Sequence, residues 1–167
     1  MSRKFIAIAF AFLSISLAAQ DGTAYVKNLV GNNRVSFSYM VYPKGQGAVH
    51  MDGKVVIDGD CYFLDSKELE IVCDGKTKWT IDKNAKEVYI DSSEGSREFM
   101  ANPSEWIDQV KDLKINDKTI TGTVNIDDKP MSFKFYSITS QPLSGSTDGF
   151  VFDVTMLNGD WVITDLR

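Results

Sequence analysis

The chain has 167 residues, a formal net charge of −5 and 43% hydrophobic residues, which is enough for one domain with its own apolar core. The acidic balance, without a cluster of basic side chains, argues against nucleic acid or an anionic membrane surface as an electrostatic partner. Two cysteines and one histidine disfavour a metal site.

Residues 1–19 have the pattern of a secretory signal peptide. Arg3 and Lys4 form a short basic start, an apolar stretch follows over residues 5–17, and small residues surround Ala19. The apolar stretch is too short to span a membrane. We therefore expect export to the periplasm and a single, non-membrane-spanning β domain over residues 20–167.

The mature chain begins with a helix and then alternates turns with short apolar runs. We expect a short helix over residues 24–30, with Thr23 as its cap. Residues 35–42 alternate bulky apolar side chains with Ser and Met, which predicts a half-buried strand. Another strand is expected over residues 50–57, after a turn.

Cys61 and Cys73 lie on two strand-like runs that are joined near Lys67. A turn centred on Lys67 places the two cysteines directly opposite each other, where a disulfide can form at a non-hydrogen-bonded pair. An oxidising compartment allows such a bridge. The alternative is two reduced thiols that pack as small hydrophobes.

The same hairpin has two faces, and only one of them can face the core. The apolar count favours Phe63, Leu69 and Ile71 on the inner face. The next turn, within residues 74–79 (DGKTKW), is the strongest turn signal in the chain, because Gly adopts positive φ freely and Asp tolerates it. A β-meander is therefore predicted through residues 87–90.

One amphipathic helix is predicted to interrupt the strands. Residues 102–105 (NPSE) form a typical helix start. Apolar residues then recur on a single helical face: Trp106, Ile107, Val110 and Leu113. Such a face must cover the sheet, either as a permanent part of the core or as a removable plug over a cavity.

The last third of the chain predicts more strands. Residues 119–126 and 131–138 flank an Asp-Asp-Lys turn, which indicates a hairpin. Runs over residues 150–155 and 161–166 are expected to complete the sheet. The spacing of the turn signals fits a sandwich or a curved, barrel-like sheet in a mainly β (α+β) fold.

Patterns that support catalysis are weak. The chain has no Gly-x-Ser-x-Gly elbow and no phosphate-binding loop. Carboxylate pairs, such as Asp127 with Asp128, fall in turns, where Asp is favoured for backbone reasons. We expect neither enzyme activity nor a cofactor.

Two segments resemble the LolA-like periplasmic carriers of outer-membrane lipoproteins. They are residues 73–79 (CDGKTKW), followed by residues 87–90 (EVYI), and the ending over residues 160–167 (DWVITDLR). The resemblance implies a curved antiparallel sheet that forms a half-open, unclosed β-barrel with one or two covering helices. An arginine that the family usually carries is replaced here, near Phe63. The resemblance also implies a pairing in which Tyr62 and Leu64 point inward, whereas the apolar count favours Phe63.

The resemblance also implies a function. In that family an apolar concave face holds the acyl chains of lipoproteins, so the chain is expected to be a chaperone that shuttles lipoproteins towards the outer membrane. Expected partners are lipoproteins, an inner-membrane release complex and an outer-membrane acceptor. The residues expected to line the cavity are Phe37, Tyr39, Val55, Ile57, Phe63, Ile71, Trp79, Ile81, Val88, Ile90, Trp106, Ile107, Val110, Phe133 and Phe135.

Two other functions stay open at this point. The same fold could bind a free lipid or an envelope glycan, or it could serve as a structural envelope protein with a core filled by its own side chains. The carrier and the structural protein differ in whether the faces that carry Trp79 and Trp106 enclose space or pack solid.

Overall fold

The computed structural model describes residues 21–94 and 98–167, so the predicted signal peptide lies outside the described residues. Helix α1 covers residues 21–32 and buries Val26 and Val30. Thr23 lies inside this helix, so its predicted role as the cap is wrong. Within the described ranges, no helix is long and apolar enough to cross a membrane.

In the described part of the chain, ten strands follow helix α1. They are β1 (Asn33–Pro43), β2 (Met51–Asp58), β3 (Cys61–Ser66), β4 (Leu69–Cys73), β5 (Thr77–Asp82), β6 (Glu87–Ser92), β7 (Lys111–Asn116), β8 (Thr119–Ile126), β9 (Lys129–Pro142) and β10 (Val162–Asp165). The short helix α2 (Pro103–Trp106) lies between 3₁₀ turns at Phe99–Ala101 and Ile107–Gln109, and a further 3₁₀ turn covers Val154–Met156.

The strands form one open mixed sheet in the order β10-β6-β5-β4-β3-β2-β1-β9-β8-β7. All neighbours are antiparallel except β10 and β6, which are parallel. The mainly β fold is therefore confirmed, and the sheet is not closed into a barrel. After β6 the chain crosses the sheet to begin β7 at the opposite edge, and this crossing carries α2.

Each face of the sheet has its own apolar core, because side chains alternate along every strand. On the face that we call the principal face, buried residues of β1, β2, β3, β4, β8 and β9 pack with α1 and α2. On the opposite, reverse face, buried residues of β4, β5 and β6 pack against Phe152, Val154, Leu157 and Trp161.

The long helix predicted from Trp106 to Leu113 is wrong. Helix α2 ends at Trp106, Val110 is extended, and Asp112 adopts a φ of 55° where β7 has an irregular register with β8. Leu113 and Ile115 alternate with exposed residues in β7. Pairing with β8 satisfies the backbone of this segment, and this tertiary pairing overrides the local helical spacing.

The strand predicted over residues 150–155 is also wrong. This segment contains the 3₁₀ turn Val154–Met156, and its apolar side chains cover the reverse face. Only the following run forms a strand, β10. A short apolar run can pack on a sheet as well as extend it, and its sequence does not distinguish the two.

Candidate functional site

The floor of the candidate site is the aromatic centre of the principal face. Phe37, Tyr39 and Val41 alternate inward along β1. Tyr39 lies opposite Phe135 of β9, and Val41 lies opposite Phe133. The rings of Phe37 and Phe135 are 4.5 Å apart between centroids, so two adjacent strands present a continuous apolar surface.

A short segment, residues 98–110, covers this floor, and we call it the cap. The ring of Trp106 stacks on Phe99 at 4.4 Å and meets Phe133 edge-on at 5.2 Å between centroids. The Trp106 Nε1 donates a hydrogen bond to the Phe99 carbonyl oxygen at 2.8 Å. The cap is thus held by aromatic packing that leaves Trp106 only 6% exposed.

Polar contacts fix both ends of the cap. At its start, the Glu98 carboxylate accepts a hydrogen bond from the Tyr62 hydroxyl and lies 3.4 Å from the Lys78 Nζ. Near its end, Asp108 pairs with Lys27 of α1. Burial is the largest cause that raises the pKa of Tyr62, and the hydrogen bond to Glu98 is the next largest. This hydroxyl therefore remains a donor at neutral pH.

A cleft of about 380 Å³ opens at the edge of the cap, which is near the lower end of the range for small-molecule sites. Its lining combines an apolar wall with a charged rim. The wall contains Tyr39, Met51, Leu64, Leu69, Ile71, Phe99 and Met100, and the rim contains His50, Asp52, Ser66, Lys67, Glu68 and Glu98.

The space beneath helix α1, by contrast, is filled. A void of only about 10 Å³ remains among Val26, Phe37, Pro103 and Phe135 and their neighbours. A void of this size holds no ligand. The cleft, and not the space beneath α1, therefore gives access to the principal face.

The structure brings together ten of the fifteen residues predicted to line a cavity. These ten pack in or against the principal core: Phe37, Tyr39, Val55, Ile57, Ile71, Trp106, Ile107, Val110, Phe133 and Phe135. The other five lie on the reverse face: Phe63, Trp79, Ile81, Val88 and Ile90. The prediction that all fifteen residues line one cavity is therefore wrong.

The error at Phe63 comes from the register of the β3–β4 hairpin. Leu64 pairs with Ile71 and Phe63 with Val72, so the turn is centred between Lys67 and Glu68 rather than on Lys67. A shift of one residue moves side chains to the other face. Tyr62 and Leu64, and not Phe63, accordingly face the principal core.

The same register separates the two cysteines. Cys73 lies opposite Tyr62 and not opposite Cys61, and the structure has no disulfide between them. Both residues are buried, and burial is the main cause that raises the pKa of the Cys61 thiol. The direct cross-strand geometry predicted for a disulfide is therefore wrong.

Sequence reasoning missed most of the cleft wall. Leu64, Met51 and Met100 line the cleft but were not expected there. The alternation Tyr62–Leu64 was the available signal, and it becomes readable only once the hairpin register is known. In the ranges 21–94 and 98–167, no group of three or more His, Cys, Asp and Glu is placed to hold a metal ion.

No family model and no curated protein matches the sequence.

Proposed function

We propose that the protein is a periplasmic carrier that binds the acyl chains of lipoproteins on the principal face and passes them towards the outer membrane. The proposal rests on the way in which this face is covered. A six-strand apolar surface is covered by helix α1 and by the short cap, with an apolar cleft at the edge of that cap. The local resemblance to LolA-like carriers, and the half-open barrel that it implies, agree with this arrangement.

The energies of the cap and of a ligand are of similar size. Burying one large apolar side chain contributes about 1.5–3 kcal/mol, so four such side chains of the cap contribute roughly 6–12 kcal/mol. Phe99, Met100, Trp106 and Ile107 are the four. An acyl chain gains about 0.8 kcal/mol for each buried CH₂. A chain of ordinary lipid length can therefore replace the cap, and the cap can in turn displace the chain without an energy source.

The size of the cleft favours a second candidate within the same class of site. A cleft of about 380 Å³ admits part of one chain before the cap moves, so a free single-chain lipid is the simplest alternative ligand. The filled interior beneath α1 favours the structural role instead. The lipoprotein carrier, the binder of a free lipid and the structural protein can be distinguished by the ligand, if any, that the protein retains.

Leu69 offers a sharp test, because the chain contains a matched control. Leu69 is half-buried in the cleft wall, and Leu157 is half-buried on the reverse face. A carboxylate at Leu69 places charge against the ligand's hydrocarbon. We expect Leu69→Glu to weaken binding of a fluorescent fatty-acyl probe at least tenfold and Leu157→Glu to leave it within twofold.

Circular dichroism and urea unfolding of both variants establish that they are folded. Displacement of the probe by a triacylated lipopeptide supports the carrier, whereas displacement by free fatty acid alone supports the second candidate. Equal loss of binding in the two variants, or no binding by the parent protein, would contradict the proposed site.

A further inference from the structure

Strand β10 leaves one edge of the sheet open. The Val162 N–H donates to the Lys86 carbonyl at 3.0 Å, and the Leu166 N–H donates to the Ile90 carbonyl at 2.8 Å. Alternate residues of a parallel strand direct their backbone groups to opposite sides. Ile163 and Asp165 therefore point their N–H and C=O groups away from β6, towards an edge that can accept another strand.

The two edges of the sheet differ in how they are protected. At the other edge, β7 carries the exposed lysines Lys111 and Lys114, and its register is interrupted at Asp112, where φ is 55°. Lysines and bulges are the usual devices that prevent edge-to-edge pairing. The four residues of β10 include no lysine and no proline, and β10 has a regular register with β6.

The side chains of β10 leave apolar surface in solvent. Val162 is 57% exposed and Leu166 is 59% exposed. Thr164 lies opposite Tyr89, so Val162, Thr164 and Leu166 follow one another on the side of the sheet that Tyr89 faces. This strip has apolar residues at both ends and a hydroxyl in the middle.

We propose that β10 is a self-association surface, on which a second copy of this chain pairs antiparallel through its own β10. The outward backbone groups allow three symmetric registers. One pairs Asp165 with Asp165 of the second copy and sets like charges opposite each other, which is unfavourable. Another centres on Ile163 and sets Val162 against Thr164 and Leu166 against Asp160 of the second copy, so the exposed apolar ends of the strip do not cover each other.

The third register is self-complementary. It pairs Ile163 with Asp165 of the second copy and places the two Thr164 residues on the two-fold axis, where Thr–Thr pairs are favourable. Val162 of each copy then meets Leu166 of the other, so the exposed apolar ends of the strip cover each other. On the opposite side, Trp161 of one copy lies across from Arg167 of the other, whose guanidinium is paired with Asp165 of its own chain.

The pairing is weak and depends on concentration, because a four-residue strand buries less area than a specific, stable interface requires. It does not depend on the proposed carrier function. Two ten-stranded sheets would join into one continuous sheet, with the principal faces of both copies on the same side.

A cysteine at the two-fold axis tests both the pairing and its register. The Thr164 residues would form a non-hydrogen-bonded antiparallel pair, whose Cα separation of about 4.5 Å lies within the disulfide range. We expect Thr164→Cys to form a disulfide-linked dimer on a non-reducing gel at least tenfold faster than Ile163→Cys. Ile163 is itself 45% exposed but lies off the axis, and both native cysteines are buried.

Sedimentation velocity supplies a second readout that needs no cysteine. The parent protein should sediment faster as its concentration rises into the millimolar range, and Val162→Lys or Leu166→Lys should abolish this change. Both side chains are largely exposed, so the variants should fold. A parent protein that stays monomeric throughout, or equal cross-linking of Thr164→Cys and Ile163→Cys, would overturn the proposal.

Discussion

At the scale of single residues, Tyr39 reports on the electrostatics of the cleft. Its side chain is in the cleft wall and is only 1% exposed. Burial is the largest cause that raises the pKa of Tyr39 to about 12, and the charges of Asp52 and Asp65 add to it. An ionised Tyr39 would thus be both desolvated and close to two carboxylates.

This shift predicts a pH dependence of stability. Unfolded Tyr39 loses its proton near pH 10 and the folded residue near pH 12, so between these values the native state binds more protons. The contribution of Tyr39 to the free energy of unfolding should therefore be constant below pH 10 and fall by about 1–2 kcal/mol towards pH 12, after allowance for solvent screening.

Urea unfolding at pH 9 and pH 11 measures this effect. Tyr39→Phe should lose less stability than the parent between the two pH values, whereas Tyr25→Phe, at an exposed tyrosine, should lose as much as the parent. An equal loss in all three proteins would show that Tyr39 does not carry the shift.

Single residues also show how far the sequence predicts the site. The alternation in β1 correctly places Phe37, Tyr39 and Val41 inward, because one periodic run is enough to define a face. For Phe63 the face depends on a turn whose centre is shifted by half a residue. Local alternation alone does not contain that information.

At the scale of elements, a substitution in the β8–β9 turn can raise the stability of the protein. Asp127 and Asp128 have φ values of 49° and 61°, in the left-handed region that Gly adopts without steric cost. We expect Asp128→Gly to raise the free energy of unfolding by about 0.5–1 kcal/mol. Asp128→Ala should lower it, and the reverse order in urea unfolding would contradict this account of the turn.

Gly122 of β8 allows the end of the cap to lie close to the sheet. A Cβ at this position would overlap Val110 Cγ1 and would lie 3.0 Å from the Phe133 ring. We expect Gly122→Ala to lower the free energy of unfolding by about 1–3 kcal/mol. Gly159→Ala is a suitable control, because a Cβ there has no neighbour within 4 Å.

The same substitution tests whether the cap is the part that moves. A change that destabilises the closed cap should favour any state in which the cap is displaced. Gly122→Ala should therefore bind a fluorescent fatty-acyl probe more tightly than the parent, with Gly159→Ala unchanged. Reduced stability with unaltered or weaker binding would show that ligand does not enter by displacing the cap.

The elements differ in how much of them the sequence predicts. The β8–β9 hairpin follows from its turn residues, β1 follows from alternation, and β2 follows from the turn that precedes it. The cap and β7 do not, because the spacing from Trp106 to Leu113 suits a helix equally well. The choice is made by pairing of β7 with β8 and by packing of Trp106 on Phe133, and both are contacts between distant parts of the chain.

At the scale of the whole molecule, connecting segments cover both faces of the sheet. The crossing from β6 to β7 forms the cap on the principal face, and the crossing from β9 to β10 covers the reverse face. Among residues 21–94 and 98–167, no second sheet closes either face. Periodicity in the sequence predicts that strands have apolar sides, but it does not indicate which connection covers each side.

This arrangement assigns different roles to the two tryptophan-bearing faces. Trp79 on the reverse face packs with Trp161 and the rest of its core cluster, as expected for a permanent core. Trp106 belongs to the cap, which is tied to the sheet by Glu98 and to α1 by Asp108. We therefore expect ligand-dependent change on the principal face and none on the reverse face.

The most direct test of the proposed carrier function is mass spectrometry of the lipids and lipoproteins that co-purify with the protein under gentle extraction. We expect acylated lipoproteins to co-purify with the parent protein and with Leu157→Glu, and to be lost from folded Leu69→Glu. Recovery of no acylated species from the parent protein, or equal recovery from Leu69→Glu, would contradict it.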